Sequence, residues 1–431
     1  MVDPKFYMRA PGTEDWLEIR QFARCHVRDY NAKEVIRLTK KLHALQNRAV
    51  TVPLIALLLL AIFSASAIAT PKIAKGPYII FPGNNTEMMV LWQVNETTTC
   101  ALDWGLDPTC TSGSLLTEER SPTHEHSVTL VDLIPGEHYY YSVTILEEIH
   151  TGDFFAAPPE DAASLKFMAY GDTRTYIRHH NEVCSAMLAT LTENPEYQTL
   201  LVHSGDWVTA GATETCWKVE YFSRGASNAV ALQASLPIQG CTGNHELYTD
   251  PPPKLGIDTL YRKYWPYPYV DERYWSFDYG PAHFVVLDQY TNYNRFGELD
   301  QSQLAWLEDD LGANSKDWTF IILHEPGYSA AGGNANIRLH LQPLCEEYGV
   351  DIVFAGHYHC YARAIKNGVL HITTGGGGAP LGVLMPGPSS LVVSARSLHF
   401  CKIKIDGPTL TLTVVTPDDN VLDEYTIEHD E

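Results

Sequence analysis

The chain has 431 residues, 45% of them apolar, with 24 Tyr, 26 Pro and a formal net charge of −22. That length exceeds one ordinary core and suits two domains with a terminal extension, while the Tyr and Pro content points to strands and turns. So acidic a surface argues against nucleic acid and anionic membranes as main partners, and admits an anionic substrate only where a bound cation reverses the local field.

Residues 1–49 form an N-terminal extension of mixed charge with one cysteine, Cys25. Residues 50–69 read VTVPLIALLLLAIFSASAIA, without a charge, after Lys40, Lys41 and Arg48, and they close on the small-x-small step Ala67-Ile68-Ala69. Basic flank, apolar run and small-residue exit predict an export signal over 50–70, secreted, periplasmic or anchored facing outward. The run is nearly long enough to span a bilayer, so an uncleaved anchor is the second reading and the sole expected membrane contact. The extension is then either a mis-assigned start or a cytoplasmic tail. Eight cysteines follow, an even number that suits a disulfide-permitting compartment. Cys100 and Cys110 flank CALDWGLDPTC, read as strand, turn and return, so a local bridge is expected there; the pairing of the other six stays open.

Residues 71–160 read as all-β. EMMVLWQV alternates around Met89, Leu91 and Gln93, and HEHSVTLVDL and EHYYYSVTI follow, separated by turn residues. LIPGEHYYY, from Leu133 to Tyr141, resembles the tyrosine corner of fibronectin type III domains. AAPPED, from Ala156 to Asp161, reads as a linker.

From 161 to 431 apolar strand-like runs alternate with helix-like stretches, which predicts α/β layering with helices over a buried sheet. Leu304, Leu307 and Leu311 mark one helix face, and Leu339, Leu341, Leu344 and Tyr348 a looser one. The final segment, HFCKIKIDGPTLTLTVVTPDDNVLDEYTI, predicts three antiparallel strands.

Five of the apolar runs end in a metal-ligand residue. KFMAY leads to Gly171-Asp172, LLVHS to Gly205-Asp206, LPIQGCT to Gly243-Asn244-His245-Glu246, FIIL to His324, and DIVFA to Gly356-His357-Tyr358-His359. Ligands of α/β sheets bind beyond the carboxyl ends of strands, so these residues are expected at one edge. Carboxylate, carboxamide and imidazole together suit Mn, Fe or Zn. A lone Asp after a strand is commonly a helix cap and a lone His a satisfied structural group, but five strand ends at once are not explained that way.

The order and local sequences resemble the calcineurin-like metallophosphoesterases, closest to the purple acid phosphatase branch. The most specific match is Gly356-His357-Tyr358-His359-Cys360-Tyr361-Ala362-Arg363 to G-H-x-H-x-Y-x-R, and Gly243-Asn244-His245-Glu246 is nearly as specific. The resemblance covers Lys72 onward and implies a four-layer αββα sandwich preceded by an all-β, fibronectin-like sandwich. It implies a dinuclear centre in which Asp206 bridges two metal ions, Asn244, His324 and His357 complete one site, and Asp172 and His359 belong to the other. His245 then faces the substrate as proton donor or charge stabiliser, beside Asn244. The implied reaction is hydrolysis of a small-molecule or protein-borne phosphate ester by water activated between the ions.

Two departures stand out. Asp172-Thr173-Arg174 replaces the superfamily's Asp-x-His, and Gly205-Asp206-Trp207-Val208-Thr209 replaces the purple branch's Gly-Asp-x-x-Tyr. One metal site thus lacks both usual fourth ligands, and no tyrosinate colour is expected. Arg174 is expected to clamp a substrate phosphate or to form a structural ion pair. Tyr361 and Arg363 line the pocket or serve packing; Gly375 to Gly378 are backbone geometry beneath the site; His179, His180 and His203 are structural. Competing readings are a phosphodiesterase using the same metals and a weakened cell-surface binding protein.

Overall fold

The computed structural model describes residues 7–9, 16–18, 70–249, 259–291 and 296–430. The chain divides into two units, Met1–Ala69 and Thr70–Glu431. The described part of the first is an antiparallel pair of short strands, Tyr7–Arg9 and Trp16–Glu18. The expected export segment lies outside the described residues, and no helix among the described residues is long and apolar enough to cross a membrane.

The second unit begins with seven strands in two antiparallel sheets. Ile73–Ile80, Met88–Val94 and Glu125–Leu130 form one; Gly113–Thr117, Cys100–Gly105, His138–Ile145 and Glu148–Phe155 form the other, in that spatial order. Strict alternation in His138–Ile145 turns Tyr139, Tyr141, Val143 and Ile145 inward, where they pack on Ile79, Val90 and Trp92 of the facing sheet. The Ile134 N–H donates to the Tyr139 hydroxyl at 3.0 Å, closing the corner expected at LIPGEHYYY.

The segment read as a linker is partly built in. Ala156 and Ala157 are buried, and their backbones pair with Glu137 and Gly136. Tyr78, Ile80 and Phe81 join the core of the following α/β region, where the Tyr78 hydroxyl donates to the Tyr264 carbonyl at 2.8 Å. The sandwich is therefore packed onto its neighbour and not tethered by a free connector.

The expected Cys100–Cys110 bridge is absent; all eight described cysteines are free and buried. Cys100 pairs with Thr117 at one end of its hairpin, whereas Cys110 lies over Gly105 at the other. Five residues of strand separate the two positions by about 16 Å, far beyond disulfide reach. The strand and turn fall where expected, but the return strand begins only at Gly113, so Cys110 stays in the turn and cannot reach Cys100.

Residues 164–428 contain two mixed sheets. The first runs Ile238–Gly240, Leu201–His203, Ser164–Tyr170, Phe400–Asp406, Thr409–Val415, Val421–Glu428, so the three expected C-terminal strands complete it. The second runs Trp275–Tyr279, Ala282–Val286, Trp318–Ile322, Ile352–Ala355, Val369–Thr374, Tyr361–Lys366, Leu391–Ala395. The sheets meet through aromatic edges: the Phe167 ring stands 5.3 Å from both Phe284 and Phe320. Ile177–Glu193 and Ser227–Ser235 pack into the core on the first sheet, and Gln301–Ala313 and Gln342–Glu347 cover the second, giving the expected αββα layers. The looser helix face differs from expectation. Ile337, Leu341 and Cys345, spaced by four, are buried, while Leu339 is exposed.

A buried cation pins the helix Gln301–Ala313 to the second sheet. His283 lies between the Asp278 carboxylate at 2.7 Å, its cross-strand partner, and Asp310 of the helix at 3.0 Å. Burial opposes charge on His283, but the two carboxylates push its pKa up to about 9. A raised folded-state value contributes stability that is complete below the unfolded pKa, about 6.5, and is lost as pH rises through about 9. His283→Gln should therefore cost roughly 1–3 kcal/mol near neutral and acidic pH, a range that allows for half-exposed Asp278, and progressively less above about pH 9. Denaturant melts of both proteins across that range check this; a difference independent of pH would remove the charge from the account.

Candidate metal centre

Strand direction assembles the site. Leu201–His203 runs parallel to both Ser164–Tyr170 and Ile238–Gly240, and Trp318–Ile322 runs parallel to Ile352–Ala355. Their carboxyl ends deliver Asp172, Asp206, Asn244, His324, His357 and His359 to one edge, as expected. Asp172, Asp206 and His357 have left-handed backbones, with φ of +56°, +56° and +67°. Such strain costs about 1–3 kcal/mol per residue and collects at functional sites. The preceding glycines permit close approach: a Cβ on Gly356 would stand 2.3 Å from Asp172 Oδ2, and one on Gly243 2.2 Å from Asp206 Oδ1.

In one half of the site, Asp206 Oδ1 lies 3.3 Å from His324 Nε2, which lies 3.2 Å from Asn244 Oδ1, which lies 3.1 Å from His357 Nδ1. Ligands about 2.0–2.2 Å from a common ion stand about 3–3.5 Å apart, so this shell has the dimensions of a coordination sphere. His324 Nδ1–H donates to the Ser204 carbonyl at 2.8 Å, which turns the Nε2 lone pair towards two oxygen lone pairs. Only a proton or a metal reconciles three acceptors. Burial opposes charge on His324, yet Asp206 and Asp172 push its pKa up to about 10, so the surroundings of this point favour positive charge. Burial alone would raise Asp206; His324, His245 and Arg174 hold it well below the carboxylate range. The residues fit a divalent cation. Asp172, Asp206 and His324 also offer ligand atoms within 4.8 Å of one another.

The other half is arranged differently. His359 Nε2 lies 3.4 Å from Asp172 Oδ1, and both Asp172 oxygens accept from the His357 N–H. Arg174 Nε donates to Asp206 Oδ2 at 3.1 Å and Nη2 donates to His359 Nε2 at 3.2 Å. Arg174 thus forms an ion pair with Asp206 inside the cluster of candidate ligands.

His245 hangs over both halves. Its Nδ1–H donates to the Thr209 carbonyl at 2.7 Å, and Nε2 stands 3.9 Å from Asp206 Oδ2. Burial holds its pKa below the ordinary histidine value. A cleft of about 540 Å³ opens beside Asn244 and His357, with Tyr248, Phe296 and Glu325 among its walls.

Other expectations resolve into structure. Tyr361 and Arg363 bind Asp423, at 2.6 Å each, and so tie the two sheets together instead of lining the pocket. His203 stacks on Trp207 with ring centres 3.6 Å apart, and His180 is buried against Tyr170. Gly377 N–H donates to the Gly171 carbonyl at 2.8 Å, which makes the glycine loop backbone support beneath the site.

Sequence reasoning missed Glu246 and Glu220. The Glu246 carboxylate accepts from the N–H groups of Asp206, Trp207 and Gly243 at 3.0, 2.9 and 2.7 Å, clamping the Asp206 turn to the Asn244 turn. Its place beside His245 was visible, but its target, forty residues away, was not. Glu246→Gln should present an amide N–H₂ to those donors, loosen Asp206 and weaken metal affinity by about 10–100-fold. Metal titration checks this; unchanged affinity would make Glu246 a purely structural clamp.

Residues 149–361 match the calcineurin-like phosphoesterase family, a stretch that contains every residue of both half-sites. Purple acid phosphatase 23 of Arabidopsis thaliana is 28% identical over 291 residues, covering 59% of this chain and 62% of that protein. Acid phosphatase type 7 of Homo sapiens is 25% identical over 346 residues, covering 71% and 74%. The purple acid phosphatase of yellow lupin (Lupinus luteus) seeds superposes with a TM-score of 0.68 at 19% identity, over 84% of this chain and 75% of that one, a likeness of fold. The chain spans less than two thirds of the length of the first of these relatives. With the candidate ligand residues gathered at the matched edge, the chain carries a calcineurin-like phosphoesterase domain related to the purple acid phosphatases.

Proposed function

We propose that this protein is a metal-dependent hydrolase of phosphate esters, acting at the Asp206–Asn244–His324–His357 edge. The observation that carries the reading is the run of acceptors Asp206, His324, Asn244 and His357, each 3.1–3.3 Å from the next, a shell that asks for a cation. A cation held there supplies Lewis-acid chemistry, making water a competent nucleophile near neutral pH and offsetting charge on the phosphoryl oxygens. The residues do the rest. Asp206, Asn244, His324 and His357 orient the centre, and Arg174 balances the outer Asp206 oxygen. His245, its ring fixed by the Thr209 carbonyl, directs Nε2 at the space beyond Asp206; because burial lowers its pKa, it would hand a proton to a leaving oxygen only at acidic pH, where Nε2 is protonated. No Ser, Cys or Asp nucleophile is required.

The domain reading accompanies it: a sandwich over 71–160, supported as fibronectin-like by the Tyr139 corner, in front of a catalytic domain over 161–431. The apolar run at 50–69 supports export, although the eight free cysteines give that compartment no disulfide to protect. Fusing the chain through Thr70 to a reporter active only after export should give signal; a reporter retained in the cytoplasm overturns the localisation.

Aryl phosphate mono- and diesters, assayed with added Mn, Zn or Fe, test the activity. Turnover of monoesters is expected, turnover of diesters alone would make the protein a phosphodiesterase, and no turnover with any metal would sink the reading. Asp206→Asn should abolish turnover together with bound metal. His245→Ala should keep its metal yet lose about 10²–10⁴ in rate, most for poor leaving groups. An equal loss for every leaving group would assign His245 to binding instead.

A further inference from the structure

The half-site built from Asp172, the outer oxygen of Asp206 and His359 has a charged tenant that belongs to the chain. Arg174 donates through Nε to Asp206 Oδ2 at 3.1 Å, through Nη2 to His359 Nε2 at 3.2 Å, and through Nη1 to Thr175 Oγ1 at 3.2 Å. All three guanidinium nitrogens are engaged, and the group is always charged. His359 Nδ1–H donates to the Pro380 carbonyl at 2.7 Å, so the His359 lone pair meets the guanidinium where a metal ligand would meet its ion. A cation within bonding distance of both Asp206 Oδ2 and His359 Nε2 would overlap Nε and Nη2 and stand against their charge.

The arginine is placed, not draped. Thr175, with φ of +75°, turns the chain directly after it. The Glu220 carboxylate accepts from the N–H groups of Thr175 and Thr209, both at 2.8 Å, and from the Thr209 hydroxyl at 3.0 Å; Thr209 in turn meets Thr175 Oγ1 at 3.0 Å. Thr209 is the residue standing where the purple branch carries a tyrosine ligand. The two departures from the family pattern therefore sit in one network: Thr209, in place of the tyrosine ligand, helps support the loop that carries the new cation, Arg174.

We infer that the Arg174 guanidinium replaces one of the two metal ions, so that the centre binds a single ion in the Asn244–His324–His357 half, with arginine supplying the second positive charge. The inference rests on the metallohydrolase reading above and narrows it. An organic cation at this position can neutralise Asp206 and attract a phosphoryl oxygen, but it offers no vacant coordination position.

Metal stoichiometry, not activity, tests it. Ion-free full-length protein titrated with Mn²⁺, freed of excess metal and measured by elemental analysis, should hold one Mn²⁺ per chain. His324→Ala should lose that ion and His359→Ala should keep it. Arg174→His, which removes the guanidinium and supplies an imidazole, should bind two, and Arg174→Ala gives an independent reading of the same site through a weaker second ion. Two ions on the wild-type protein overturn the inference while leaving the metallohydrolase reading intact, as does a His359→Ala variant that loses half of its metal. One ion on a folded Arg174→His protein also overturns it, because the guanidinium would not then be what excludes the second. No ion on the folded wild-type protein overturns both readings.

Discussion

The site depends on one buried carboxylate whose two oxygens face different ways. Asp206 Oδ1 accepts from the His245 N–H at 3.0 Å and turns towards His324, while Oδ2 accepts from Arg174. A bare anion at 1% exposure would be prohibitive; this one is surrounded by donors and positive charge. Its left-handed backbone leaves a strained turn that Glu246 holds through three N–H groups. Remove that clamp and the strand end has no reason to present Asp206 to both halves at once.

The rest of the fold works to keep that edge rigid. Two sheets packed through Phe167, Phe284, Phe320 and Phe354 fix the relative heights of five strand ends. The Arg363–Asp423 pair, with Tyr361 on the same carboxylate, ties the strand after His359 to the far strand of the other sheet. The β-sandwich adds Tyr78, Ile80 and Phe81 to the same core, so its burial stabilises the α/β layers directly. In so acidic a protein an anionic ligand would need concentrated positive charge, and the Arg174 guanidinium and His324 stand against Asp206.

Much of this was legible beforehand. Apolar runs closing on Gly-Asp, Gly-Asn-His and Gly-His-x-His announced strand ends carrying ligands, because a buried parallel strand is a short continuous apolar run and a ligand must follow it where the sheet stops. Alternation in EHYYYSVTI announced the inward tyrosines for the same local reason. The Cys100–Cys110 expectation failed because sequence proximity says nothing about which end of a hairpin each residue occupies. Leu339 misled because a helical period fits more than one face until a sheet is present to choose between Leu339 and Ile337.

By itself, then, the sequence determined where the strands end and which candidate ligand residues follow them, because periodicity and residues adjacent in the chain are settled by local sterics and burial. The order of layers, the roles of those residues and the two departures at Arg174 and Thr209 came from the resemblance to a family pattern. Only the tertiary structure decided what fills the thinned half. Arg174 meets His359, 185 residues away, and Glu220 reaches Thr175 across 45. Hydrogen bonds of that kind are selected by the packing of two sheets, and no local pattern encodes which lone pair a guanidinium will find.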